Sequence, residues 1–368
     1  MSLKLKKYAP LALWLALGGS FAHAGILTIN AIYDTTISND SNHAAIEGAI
    51  GTAITTIEND FTNPITVSIY FQEGGGLGQS NFLVYDQPYT SFYSGLVANN
   101  SNPAAIAALQ AAGYTTVNPV GGTNNIEMKS ANSRAVGINQ APGCNVTPTG
   151  AGTLSGNIPN DCYDGKTGTP SGTMVDGIIS LNTLITTPGT NGGGSYDLVS
   201  TAEHEIDEIL GLGSALENCE TGTSGQTMAC NSGTLTRQND TSFAVGAPED
   251  LYRYTAATGG TLANLTVNCS SPGSAYFAYG ANTGALTQFN NACNGGDFGD
   301  WAGSGQVQDA YATPSSAPAY GPNEIAALSA IGYDTSAPEP GTITLFGSGF
   351  GLLAAIGWRR VRGSRIPY

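Results

Sequence analysis

His204, Glu205 and Glu208 stand in the segment STAEHEIDEILGLGS, residues 200–214. In a helix, positions 204 and 208 lie one turn apart on the same face, about 5–6 Å between Cβ atoms. An imidazole and a carboxylate so placed can hold one divalent metal ion. Glu205 then points beside the ion, where a carboxylate can take a proton from water as general base. The order H-E-x-x-E is therefore a candidate hydrolytic metal site, with His204 and Glu208 as ligands and Glu205 as the base.

The zinc-peptidase form of this spacing is H-E-x-x-H, and Glu208 stands where the second histidine would be. Glutamate ligates zinc at about 2.0–2.2 Å, so the exchange is compatible with the metal. It adds negative charge and lowers the ion's Lewis acidity. Zn²⁺ is the expected ion, and harder ions such as Mn²⁺ or Ca²⁺ fit better here than in a two-histidine site. Two ligands need a third. Asp297 and Asp300 in NGGDFGDWAG lead, because a glycine-rich loop can bring a carboxylate close. Asp250 and Asp309 follow, then His43. Tyr252 and Tyr254 are the phenols considered for steadying an oxyanion. Two plainer readings compete. Glu203, Asp207 and Glu208 could form a solvated acidic face, and GDFGDW could be a tight turn with Trp301 packed beneath it.

The elements that would position these groups are legible in part. ILTINAIYD (26–34) reads as a strand. In HAAIEGAIGTAITTIENDF, Ile46, Ile50, Ile54, Ile57 and Phe61 recur at helical steps, and Pro64 follows the end. ITVSIYF alternates Ile65, Val67, Ile69 and Phe71, as a strand with one buried face does. Helices are expected near 89–98, 103–112 and 196–211, and strands near 132–138 and 176–182. Val199, Ala202, Ile206, Ile209 and Leu210 give the 196–211 helix a wide apolar stripe with one polar edge. GPNEIAALSAIGYD closes the body as a short helix, with Pro322 at its start and Gly332 past its end. The body reads as α+β with a mixed sheet as its core.

Both ends read as targeting segments. Residues 1–24 have Lys4, Lys6 and Lys7, a short apolar run and AHA before Gly25, the order of a secretory signal peptide. The partners implied are the Sec translocon and signal peptidase. At the other end come Pro338-Glu339-Pro340, an apolar run over 342–358, and Arg359, Arg360, Arg362 and Arg365. At about 1.5 Å per residue that run reaches about 26 Å, enough for a single transmembrane helix with its arginines held cytoplasmic. This three-part pattern resembles the PEP-CTERM sorting signal. The resemblance implies an exosortase-type enzyme as partner and a temporary membrane anchor. The protein would then pass from an inner-membrane intermediate to the cell surface or extracellular matrix. A permanent single-pass anchor is the alternative.

Of the 12 basic residues seven lie in these ends, and of the 27 acidic residues only Glu339 does, so residues 25–338 carry 26 acids against five bases. Such a body repels nucleic acid, which excludes that class of partner. Cys144, Cys162, Cys219, Cys230, Cys269 and Cys293 all lie in the exported part, where an even count reads as disulfides. Pairing between sequence neighbours, 144–162, 219–230 and 269–293, would clamp three loops rich in small polar residues. A G-x-S-x-G elbow is absent, and GGGLGQS lacks the lysine of a phosphate-binding loop.

AEHEIDEILGLGSAL, EDLYRY, AYFAYG, GDFGDWA, VQDAYATP and ALSAIGYD before the tail are together similar to a bacterial family of PEP-CTERM-tailed predicted metalloproteases with H-E-x-x-E. NPITVSIYF and LGQSN extend the likeness over roughly residues 26–334. It implies a zincin-like, metzincin-like fold over residues 25–335, with 336–368 as the sorting signal. It also implies a zinc-dependent metallopeptidase whose peptide or matrix substrate is unspecified. Gly211 matches the glycine of the longer metzincin motif. Ser214 stands where that motif's third ligand would be, and Met128, Met174 and Met228 lie too early for its methionine turn. The alternative is a catalytically inactive zincin-like surface or matrix protein.

Overall fold

The computed structural model describes residues 26–99, 102–120, 124–146, 161–162, 172–188, 196–215, 230–231, 234–235, 246–256, 267–268, 273–280, 284–292, 295–303 and 305–336. The chain starts with strand β1 (Thr28–Tyr33), which runs parallel to β2 (Thr66–Glu73). Parallel neighbours need a crossover, and this one carries α1 (Thr35–Ser38) and α2 (His43–Asp60). Asp34 caps α1 by accepting from Thr36 N at 2.8 Å. The periodic isoleucines of α2, Ile46, Ile50, Ile54 and Ile57, are all buried.

A mixed sheet in the order β1-β2-β9-β3 forms the scaffold. Strand β9 (Gly177–Leu181) lies parallel to β2, and β3 (Gly78–Phe82) closes the edge antiparallel to β9. Val67, Ile69 and Phe71 of β2 and Ile179 and Leu181 of β9 join the main core with the helices. Tyr70 and Ile178 point the other way, into a smaller cluster with Cys144, Val146 and Val175. Both faces of the central strands are therefore covered, which explains their nearly unbroken apolar runs.

Strands β4 (Val84–Pro88) and β5 (Asn125–Lys129) pair antiparallel. Between them lie α3 (Tyr89–Asn99) and α4 (Pro103–Ala111), the latter capped by Asn102 with Pro103 in its first turn. The strand expected near 132–138 is instead the short helix α5 (Ser130–Ala135). Ala131 and Ala135 sit one turn apart and both are buried, and Val136 N closes on Asn132 O at 3.2 Å. Its strand lies just upstream as β5, where Glu127 and Lys129 are buried alongside Ile126 and Met128 and hide the period of two.

Next come β6 (Cys144–Val146), β7 (Asp161–Cys162) and β8 (Thr173–Val175), with a disulfide joining Cys144 and Cys162. The other two expected pairs, 219–230 and 269–293, fall on residues whose side chains lie outside the described part, as do the signal peptide 1–24 and the apolar run 342–358. The two-residue strands β10 (Thr186–Thr187) and β11 (Tyr196–Asp197) lead into α6 (Leu198–Leu210). Helix α6 packs between the sheet and α2.

The later half is built of short pieces. Strands β12 (Cys230–Asn231), β13 (Thr234–Leu235) and β15 (Val267–Asn268) form one small sheet. After the 3₁₀ turn Pro248–Tyr252, strand β14 (Arg253–Tyr254) forms another with β16 (Ala275–Phe277) and β17 (Thr287–Phe289). Helix α7 (Pro322–Ala330) ends the body. The chain then returns along Phe61, with Thr62 N bonded to Asp334 O and Ser336 N to Asp60 O, both at 2.8 Å.

Candidate metal centre

Helix α6 is capped by Asp197, which accepts from Ser200 N at 2.7 Å, and it ends at Gly211, whose φ of +138° suits only glycine. Leu198, Ala202, Ile206, Ile209 and Leu210 bury its apolar stripe in the core. Its carboxylates are buried too: Glu203, Glu205, Asp207 and Glu208 are each no more than 7% exposed. The solvated acidic face is therefore not what the helix presents: Thr56 of α2 reaches Glu203, Tyr320 before α7 bonds Asp207 at 2.9 Å, and Ser80 of β3 bonds Glu208.

His204 and Glu208 converge with Asp300, with one ligand-type atom from each lying within 4.8 Å of the other two. His204 Nε2 is 3.8 Å from Glu208 Oε1 and 3.7 Å from Asp300 Oδ2. Ligands at about 2.0 Å around a tetrahedral ion sit roughly 3.3 Å apart, so His204 Nε2 needs to close on each carboxylate by only a few tenths of an ångström. His204 Nδ1 lies 2.9 Å from Val307 O. A carbonyl can only accept, which assigns the proton to Nδ1 and leaves the Nε2 lone pair directed at the cluster. Ser80 Oγ on β3 donates to Glu208 Oε2 and fixes the second carboxylate.

Glu205 stands beside this group. Its Oε2 is buried without a hydrogen-bond partner. Burial first, and the Glu208 charge second, push the Glu205 carboxyl well above the usual range. Burial, then Glu208 and Asp297, does the same to Asp300. For His204 burial works downward, but Glu208, Glu205 and the Val307 carbonyl outweigh it and raise the imidazole. Edge strand β3 passes close by. A Cβ built on Gly78 would overlap Glu205 Oε1 and come within 2.9 Å of Thr201 Cγ2, so glycine there makes room for the glutamate.

These groups line a cavity of ≈ 460 Å³ with Leu77–Ser80, Tyr196 and residues of the 295–318 segment. Six carboxylates line it (Asp197, Glu205, Glu208, Asp297, Asp300 and Asp309), and among its described lining residues none is Lys or Arg. One imidazole nitrogen with two carboxylates, crowded and buried, fits a divalent cation in donor chemistry and in charge.

The sequence candidates separate clearly. Asp297 lines the cavity without joining the three-residue cluster. Asp309 also lines it, and its Oδ2 accepts from Gln306 N at 2.9 Å. Asp250 is structural: it accepts from Ser214 Oγ at 2.6 Å and from Ala215 N at 2.9 Å. His43 is exposed at the start of α2. Tyr252 and Tyr254 do not reach the cavity, and the Tyr252 hydroxyl donates to Ala330 O at 3.0 Å. Trp301 is fully buried against Phe289, ring centroids 5.1 Å apart, so GDFGDW is both a packed turn and the carrier of Asp300. Sequence reasoning missed Ser80 and the Val307 carbonyl. GQSN has no apolar alternation to mark it as a strand or to show what Ser80 faces, and a backbone carbonyl leaves no compositional trace.

The model of the PEP-CTERM protein-sorting motif matches residues 336–362. The chain is thus a PEP-CTERM protein of the bacterial kind, and the motif implies an exosortase-type sorting partner and export with processing at a membrane. No curated protein and no solved structure matches the chain. No helix among the described residues is long and apolar enough to cross a membrane.

Proposed function

We propose that the exported body is a zinc-dependent hydrolase of peptide bonds, with a zincin-like arrangement of helix, edge strand and metal centre. The observation that carries this reading is the convergence of His204, Glu208 and Asp300 on one point, with Glu205 beside it. His204, Glu208 and Asp300 would hold the ion. When bound, a divalent metal polarises a carbonyl and makes water more acidic. Glu205 would take a proton from that water and return it to the leaving amine. Tyr196 brings a phenol to the cavity wall, which Tyr252 and Tyr254 do not reach. Leu77–Ser80 line the same cavity from edge strand β3, which suits a substrate in extended form.

The test is metal content followed by two substitutions. The exported protein should hold one zinc per chain by elemental analysis. Manganese or calcium in its place would keep the site and change the ion. His204→Ala should lose metal and hydrolysis together. Glu205→Gln should keep the metal and lower peptide hydrolysis by about 10²–10⁴-fold. Protein that holds no stoichiometric metal after exposure to zinc or manganese would overturn the enzyme reading and leave a non-catalytic surface protein.

A further inference from the structure

Two of the groups that meet at His204 come from one loop rather than from α6. Asp300 supplies a carboxylate, and Val307 supplies the carbonyl that orients the imidazole. The loop is folded on itself, with Trp301 N bonded to Gln308 O at 2.7 Å and Ala310 N to Trp301 O at 3.0 Å. Glu324, in the first turn of α7 and 1% exposed, reaches into this fold. Its Oε1 accepts from Trp301 Nε1 at 3.1 Å and from Gln308 N at 3.2 Å. Trp301 follows Asp300 and Gln308 follows Val307 in the chain. Gln308 Nε2 donates onward to His204 O at 2.9 Å.

We infer that Glu324 is a positioning residue of the metal centre: one carboxylate oxygen ties both branches of the loop, so that the Asp300 side chain and the Val307 carbonyl reach His204 together. A glutamate placed only to favour the start of α7 would do so from the surface. Burying its carboxylate is costly unless hydrogen bonds compensate, and the two it accepts both come from the site-bearing loop. The role depends on the reach of the oxygen and not on its charge. It rests on the metal-centre reading above.

Reach and charge separate by substitution in the full exported protein. Glu324→Asp keeps the charge and draws the oxygen back by one methylene. Glu324→Gln keeps the reach and removes the charge. The probes are Zn²⁺ affinity, by competition with a chromophoric chelator, and the visible absorption of bound Co²⁺. Glu324→Asp should weaken zinc binding by about 10- to 100-fold and shift the cobalt bands. Glu324→Gln should return the affinity to within about 3-fold of the unaltered protein, with its spectrum. Trp301→Phe, which removes one of the two bonds and keeps the ring, should weaken zinc in the same direction but less. An aspartate variant with unaltered affinity and spectrum overturns the inference, as does a glutamine variant as weak as the aspartate one. Metal binding by the unaltered protein is read first. If it binds neither ion, the metal-centre reading falls and this role falls with it. If it binds and only the Glu324 series fails, the centre stands without this support.

Discussion

The body holds itself together in two different ways. From β1 to β9 the backbone is paired in a sheet, and apolar side chains cover both faces: Phe71 and Ile179 toward the helices, Tyr70 and Ile178 toward β6 and β8. From the 3₁₀ turn at Pro248 to α7, the described strands are two or three residues long, and the buried rings of Tyr252, Phe277, Phe289 and Trp301 are tied together by buried polar groups. Arg253, 1% exposed, donates to Phe298 O at 2.5 Å and to Asn291 Oδ1 at 2.7 Å. Glu249 accepts from Gly213 N at 2.6 Å. The candidate metal centre lies on the seam, with two ligands from a helix packed on the sheet and one from a loop held by hydrogen bonds. The sheet spreads its hydrogen bonds along ladders, whereas each polar tie of the loop is made singly, around the buried ring of Trp301.

Truncation in the sheet should have the largest effect. Phe71→Ala should cost about 3–5 kcal/mol in denaturant unfolding, because a fully buried ring between two strands leaves a cavity. All parts of the body should unfold earlier together. Arg253→Met tests the other region. It removes the bonds to Phe298 O, Asn290 O and Asn291 Oδ1, for about 2–4 kcal/mol. Hydrogen exchange should quicken across 287–310 while β2 and β9 stay protected. Equal quickening in both regions would erase the distinction.

Gly78→Ala probes the seam from the sheet side. The new methyl meets Glu205 Oε1 and Thr201 Cγ2, so it should cost about 1–3 kcal/mol. Peptide hydrolysis should fall more steeply than zinc affinity, since the displaced group is the proposed base and not a ligand.

The polar region should also carry a pH signature in the metal-free protein. Burial, before any charge effect, pushes the Glu249 carboxyl from 4.5 up to about 8. The folded protein keeps this proton while the unfolded chain releases it. The contribution is therefore complete below pH 4.5 and is lost as pH rises through about 8. Glu249→Gln should flatten the fall in melting temperature between those limits, and an unchanged slope would assign it to other groups. The smallest effect belongs to the outer face of α2. Thr52→Ala removes an exposed bond to Gly48 O and should shift stability by no more than about 0.5 kcal/mol.

Much of the sheet half was legible in the sequence. The isoleucine spacing of α2, the alternation in ITVSIYF and the prolines that open α4 and α7 are local signals, carried within a few residues of the element they specify. So was the relation of His204 to Glu208, because a helical turn is itself local. Residues 130–135 were not legible, since the buried Ser130, Asn132 and Ser133 are polar and leave no apolar face to mark a period. Nor was the burial of Glu203, Asp207 and Glu208, which depends on what packs over α6 and not on α6 itself.

By itself the sequence determined the periodic elements, the sorting motif at the C-terminus and one turn of helix able to offer an imidazole, a carboxylate and a base. Only the tertiary structure selected Asp300 over Asp297, Asp250, Asp309 and His43, brought Ser80 to Glu208, and set the Val307 carbonyl against a histidine 103 residues away. The physical reason is range. Helix and strand periods arise from neighbours along the chain. The loop that completes the site is placed by Glu324, Arg253 and Trp301, whose partners are close only once the chain has folded.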